Sequence, residues 1–247
     1  MDYGALLLEQ NRLLADLLGE ADWSTPVPTC PGWTLTQVMR HVGRAPRWAA
    51  TIVRARAQEV VDPRGAEGGR PPGDRDGALA WFQQGPRLLL EAVADDPDAR
   101  VWTTAAGLQP ARWWVRRMLH EAVIHRVDAA IALGVDHPIE PVLAADGISE
   151  WLDLMVGLSG TAMLRDGSTM RLHATDVGLG ADGEWTIRGG LSRIEWEHGH
   201  GVGDVALSGN AADLLLAVMR RIPGDDGRLV IAGEREHWTT WLANTAY

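Results

Sequence analysis

Residues 113–134 read WWVRRMLHEAVIHRVDAAIALG, and the spacing within this stretch decides the fold. Residues four apart on an α-helix lie about 40° apart around its axis, so Glu121 and His125 project from one face, one turn apart. Trp114, Met118, Ala122, Ala129 and Ala132 share that face. An ionisable pair therefore occupies the stripe that packs inside a helical bundle. The helix is expected to begin near Pro110, whose fixed backbone suits a first turn, and to run to Leu133 before Gly134 ends it. His120 precedes His125 by five residues and points roughly 140° away from it. The zincin pattern, with two histidines four apart and a glutamate base between them, is matched only superficially, and Glu121 reads as a ligand itself.

Three more helices precede this one. Leucines at 6, 7, 13, 14, 17 and 18 recur at helical spacing after Asp2, with Gly19 placed as a C-terminal cap. The Pro-rich connector ADWSTPVPTCPGW ends in a helix start, where Thr34 and Gln37 make a capping box and Trp33 can staple onto Val38. From there a second helix is expected from Leu35 to about Gln58, with His41, Val38, Ala45, Trp48 and Ile52 on its inner stripe and a kink at Pro46. The Gly-, Pro- and charge-rich segment DPRGAEGGRPPGDRD reads as a loop that is either a lid or simply mobile. A third helix covers about Asp76 to Ala94, with Pro86 as a second kink.

The pattern changes after Pro138. A short helix around Ala144 to Leu158 leads into TMRLHAT, EWTIRG, RIEWEHG and DVALSG, which read as strands separated by Gly and Asp turns. NAADLLLAVMRRI is an Asn-capped helix, RLVIAG a strand and EREHWTTWLANT a last helix. The fold class is α+β: a four-helix bundle over residues 1–138, then a smaller α+β domain over 139–247.

Composition removes several function classes. The net charge is −10, with acid in excess in both halves, so a nucleic-acid partner is not expected. All 23 basic residues are arginine, which rules out a Schiff-base lysine and a Walker-type phosphate lysine. A single cysteine, Cys30, cannot form an intrachain disulfide. No basic leader or long apolar run opens the chain, so no signal peptide and no membrane partner are expected, and the expected location is cytoplasmic.

His41 from helix two, facing Glu121 and His125, supplies two imidazoles and a carboxylate, a set found at zinc sites that keep one position open. The competing reading is a hydrogen-bonded core histidine with Glu121 paired to Arg117, one turn before it.

The blocks TCPGWTLTQVMRHVGRAPRW and VWTTAAGLQPARWWVRRMLHEAVIHRVDAAIALG resemble the mycothiol-dependent maleylpyruvate isomerase family and its DinB-like metal-binding bundle. GNAADLLLAVMRRIPGDDGRLVIAG is similar to that family's C-terminal domain, related to sterol-carrier-protein folds. The resemblance implies that His41, Glu121 and His125 bind zinc or another divalent metal, that mycothiol is the thiol co-substrate, and that the site lies between the two domains. The family's Trp-Gly-Arg helix end reads Val218, Met219 and Arg220 here, so Arg220 is kept while its neighbours differ.

The activity so implied is cis-trans isomerisation of, or addition to, a small electrophile such as maleylpyruvate, with Arg220 or Arg117 steadying an acidic substrate. The alternatives are a mycothiol S-transferase and a non-catalytic protein that binds an apolar ligand in its C-terminal domain. Cys30 reads either as a nucleophile or as a structural residue. Asp128 is either a group that orients a ligand or part of a solvated face, and Arg126 binds a carboxylate or makes surface ion pairs. Trp113 and Trp114 either pack or line a pocket. His198 and His200 in EHGHG are left outside the site.

Overall fold

The computed structural model describes residues 1–157 and 163–245. Asp2 accepts a hydrogen bond from the Ala5 amide and starts α1 (Tyr3–Glu20), which continues through Gly19 instead of ending there. The capping box of Thr34 and Gln37 opens α2 (Leu35–Arg54), and Asp74 caps α3 (Arg75–Ala94). Both helices run unbroken through their internal prolines, Pro46 and Pro86. α4 (Trp113–Leu133) ends at Gly134, whose φ of 64° is the left-handed conformation that favours glycine there.

Two departures from the sequence expectation stand out. Residues 100–110 form a hairpin, β1 (Arg100–Thr103) against β2 (Gly107–Pro110), so Pro110 ends a strand and α4 starts three residues later. The segment between α2 and α3, expected as a lid or mobile loop, is strapped down. Trp81 Nε1 donates to the Gly68 carbonyl at 2.6 Å, Arg44 Nε to Gly69 at 3.0 Å and Trp48 Nε1 to Val61 at 2.9 Å. Arg47 Nε adds a bond to the Gly68 carbonyl.

In this unit, Met1–His137, α1 packs on α4 and α3, and α2 packs on α3 and α4. α4 is buried around most of its circumference, not along one stripe. His120 and Arg126, expected outside that stripe, are both about as buried as the apolar residues beside them, and Arg126 Nε donates to Gln10 of α1 at 2.8 Å. Arg126 is therefore not a surface ion-pairing group. A bundle helix enclosed by neighbours on several sides must satisfy its polar groups internally.

The approach of α2 to α3 depends on Gly43, where an added Cβ would lie 2.2 Å from the Trp81 ring. Overpacking of this kind costs about 1–3 kcal/mol. Gly43→Ala is expected to lower stability by that amount in a denaturant titration, and an unchanged midpoint would show that the Trp81 ring can move aside.

The second unit, Pro138–Tyr247, begins with α5 (Pro141–Gly157); the expected end of that helix at Leu158 lies outside the described residues. The strands follow the sequence reading closely: β3 (Thr169–Ala174), β4 (Glu184–Gly189), β5 (Ile194–His198), β6 (Val205–Gly209) and β7 (Val230–Gly233). They form one sheet in the order β5-β4-β3-β6-β7, antiparallel except for the β3–β6 pair. Asn210 caps α6 (Ala211–Val218), which ends sooner than its apolar run suggested, and α7 is Arg235–Asn244. The chain is thus α+β, a helical unit followed by a mixed one. No helix among the described residues is long and apolar enough to cross a membrane.

Candidate metal centre

The connector before α2 folds back on itself. Val27 and Trp33 are joined through the Trp33 carbonyl, Cys30 closes onto Val27 and Trp33 onto Cys30, with Gly32 at φ 80° allowing the turn. This turn brings Thr29, Cys30 and Trp33 against α4. The Thr29 hydroxyl donates to Asp128 Oδ1 at 2.6 Å and the Cys30 thiol to Asp128 Oδ2 at 3.3 Å.

Asp128 is fully buried, so it is not part of a solvated face. Its Oδ2 lies 2.8 Å from His125 Nδ1. An ionised carboxylate only accepts, so this bond places a proton on Nδ1 and, in the neutral ring, leaves the lone pair on Nε2. His125 Nε2 then faces Glu121 Oε2 at 3.4 Å, and His41 Nε2 approaches the same oxygen at 2.9 Å. Glu121 Oε1 is engaged by Arg117, which is itself buried.

The electrostatics follow from these contacts. Burial pushes the Glu121 carboxyl up, but the Arg117 charge and the hydrogen bonds from His125 and His41 outweigh it and hold the group well below the usual carboxylate range. Burial pushes His125 down, while its bonds to Asp128, Cys30 and Glu121 prevail and raise it well above the ordinary histidine value.

The donor set fits a divalent ion. One ligand atom each from His41, Glu121 and His125 lie within 4.8 Å of one another. Tetrahedral bonds of about 2.0–2.1 Å would set such atoms about 3.3 Å apart, and the two histidine-to-Glu121 separations, 2.9 and 3.4 Å, lie within a few tenths of an ångström of that. Trp33 walls the cluster, its ring stacked on His125 at 5.9 Å and tilted to His41 at 5.3 Å. Cys30, His125 and Asp128 form a second group of possible ligands, but it uses the other nitrogen of His125.

The sequence of the bundle matches the model of the mycothiol maleylpyruvate isomerase N-terminal domain over residues 5–130, and residues 142–240 match the MDMPI C-terminal domain. The chain belongs to this family. Its fold is similar to a crystal structure of the mycothiol-dependent maleylpyruvate isomerase, with 16% identity, a TM-score of 0.50 and 87% of each chain covered. A variant structure of such an isomerase, with one histidine replaced by alanine, aligns at 17% identity and a TM-score of 0.52 over 94% of this chain and 93% of that one. No curated protein sequence matches the chain.

Among the family-related positions, Arg220 lies in the second unit, exposed, just past the end of α6 and with φ at 59°. A non-glycine residue held in that region carries backbone strain of about 1 kcal/mol or more. Trp114 is fully buried, in edge contact with Trp48 and Trp113, and its Nε1 donates to the Trp102 carbonyl, so it serves packing. His198 bonds the Glu184 carbonyl and His200 the Glu184 carboxylate, and neither belongs to a potential metal cluster among the described residues.

Trp33 and Thr29 were not singled out as site residues by spacing arguments. Their signal is the TCPGW turn itself, whose residues reach α4 only once the connector is folded.

Proposed function

We propose that this protein is a metal-dependent enzyme that uses mycothiol to isomerise, or add to, a small acidic electrophile of the maleylpyruvate type. The observation that carries the reading is the convergence of His41, Glu121 and His125, with Asp128 behind His125 and Arg117 behind Glu121. These three side chains would hold a zinc or similar divalent ion. Bound there with a fourth position open, such an ion would lower the pKa of a coordinated thiol so that its proton passes to solvent, leaving the sulfur nucleophilic at neutral pH.

Each of the chain's own residues has a definite task in this reading. Asp128 fixes the tautomer and orientation of His125. Arg117, buried and paired to Glu121, keeps that carboxylate ionised and aimed, which makes it a positioning group. The resemblance puts Arg220 forward for a substrate carboxylate, and its left-handed backbone conformation is in keeping with a role beyond structure. In the reaction, the mycothiol sulfur adds to a carbon of the conjugated double bond, the resulting single bond rotates, and elimination reforms the double bond and returns the thiol.

Titration of the cobalt-substituted protein with mycothiol tests the proposal. A sulfur-to-metal charge-transfer band should grow to saturation, and turnover of maleylpyruvate should require metal and thiol together. Absence of the band at every thiol concentration, with the metal retained, would reject thiol activation at this centre.

A further inference from the structure

A second site is suggested by arginines on α2 and on the segment between α2 and α3. Arg44, Arg64 and Arg70 line an open cavity of about 620 Å³ together with Ala66, Gly68 and Gly69, and its lining contains no acid. A neighbouring cavity of about 250 Å³ shares Gly68 and adds Arg47 and Arg54, with Thr51 and Gln84 as further polar lining and Glu67 as the lone carboxylate. Neither cavity includes a residue of the metal-binding triad.

The loop straps account for little of this positive charge. Arg44 uses only Nε, on the Gly69 carbonyl, and Arg47 uses Nε on Gly68 and one terminal nitrogen on Gln84 at 3.0 Å. Arg54 reaches only the Leu88 carbonyl. Among the described residues, none of these five arginines is ion-paired with a carboxylate, and the side chains of Arg64 and Arg70 make no hydrogen bond.

Arg47, which lines the smaller neighbouring cavity, adds a separate observation. It is 3% exposed, stacked on the Trp81 ring at 4.6 Å, and its Nη1 has no hydrogen-bond partner. Burial lowers its pKa to about 10, so it stays charged at neutral pH. A buried cation without a counter-ion is costly, and an anion in the adjoining space would offset that cost. In a chain of net charge −10, five uncompensated arginines around one glycine loop are not explained by solubility.

We infer that this arginine-lined cavity binds a small molecule carrying two or more oxyanion groups, held by Arg44, Arg64 and Arg70 over the Gly68–Gly69 turn. Planar guanidinium forks suit carboxylate and phosphate oxygens equally, and the volume is that of a small-ligand pocket. The inference stands apart from the metal-centre reading, because no residue is shared.

Calorimetric titration of the full chain with pyrophosphate and, separately, with citrate tests it and distinguishes a phosphate from a polycarboxylate ligand. Each titration is run on protein as isolated and on protein stripped of metal with phenanthroline, since both probes chelate divalent ions. Saturable one-to-one binding of at least one probe is expected in both preparations. Arg64→Ala and Arg70→Ala, which alter exposed side chains and leave the loop straps intact, should each weaken it about tenfold or more, whereas Arg12→Ala on α1 should not. Binding that follows metal content, binding unchanged in the Arg64→Ala, Arg70→Ala double variant, or no heat with either probe at millimolar concentration would each overturn the inference.

Discussion

His125→Ala is expected to abolish stoichiometric metal binding while leaving a folded helical protein, and His41→Ala to do the same. Each removes one of only three protein donors, and two remaining donors do not make a closed or half-open site of useful affinity. The two variants differ in a second respect. His41 is half-exposed, with 41% of its side chain accessible, so its loss is absorbed by solvent. His125 is buried, and truncating it leaves Asp128 with one fewer hydrogen bond and a cavity beside Trp33, so this variant also loses stability. Metal content after reconstitution, read beside far-ultraviolet circular dichroism, separates the two effects. His120→Ala is the control: His120 is buried but lies outside the ligand group, so that variant keeps its metal even where its melting point falls. A full metal load in both His41→Ala and His125→Ala would remove the centre from consideration.

Helical spacing made the Glu121 and His125 pair readable in the sequence, because residues four apart on one helix project from the same face. The partner from α2 was readable only as an inward position, since no spacing sets the distance between two helices. The strands of the second unit were legible for a related reason: TMRLHA and VALSG alternate at period two, and the burial of Met170, Leu172, Val205 and Leu207 follows that alternation. What the sequence concealed is equally physical. Residues 100–110 contain no Asn-Gly type turn between clear alternating runs, so the hairpin was hidden behind a proline that also suits a helix start. The burial of Arg126 depends on Gln10, 116 residues away, and no local pattern encodes such a partner. The loop after α2 looked mobile because glycines and prolines dominate it, yet its order comes from carbonyls accepting from Arg44, Arg47 and Trp81 on other elements.

Asp128→Asn is expected to weaken metal binding about 10- to 100-fold, although Asp128 is not itself one of the three donors of the proposed centre. The carboxylate accepts from His125 Nδ1, and that single fact sets the proton on the side of the ring away from His41 and Glu121. An asparagine in the same place can turn its amide nitrogen toward Nδ1, which would then become the acceptor and move the ring proton to Nε2, where a metal must bind. The Thr29 hydroxyl favours that orientation, because it donates to the other carboxylate oxygen at 2.6 Å and would keep the amide oxygen on its own side. Cys30→Ser provides the comparison: the thiol is a weak donor to Asp128, and a hydroxyl in its place keeps the hydrogen bond, so affinity should change far less. Competition against a chromophoric chelator measures all three proteins, and nitrogen-15 shifts of the imidazoles in the metal-free protein, followed to alkaline pH where the raised His125 ring loses its second proton, report the tautomer. An Asp128→Asn protein that holds metal as tightly as the parent, with the ring proton still on Nδ1, would show that His125 is oriented by its packing against Trp33 instead of by Asp128.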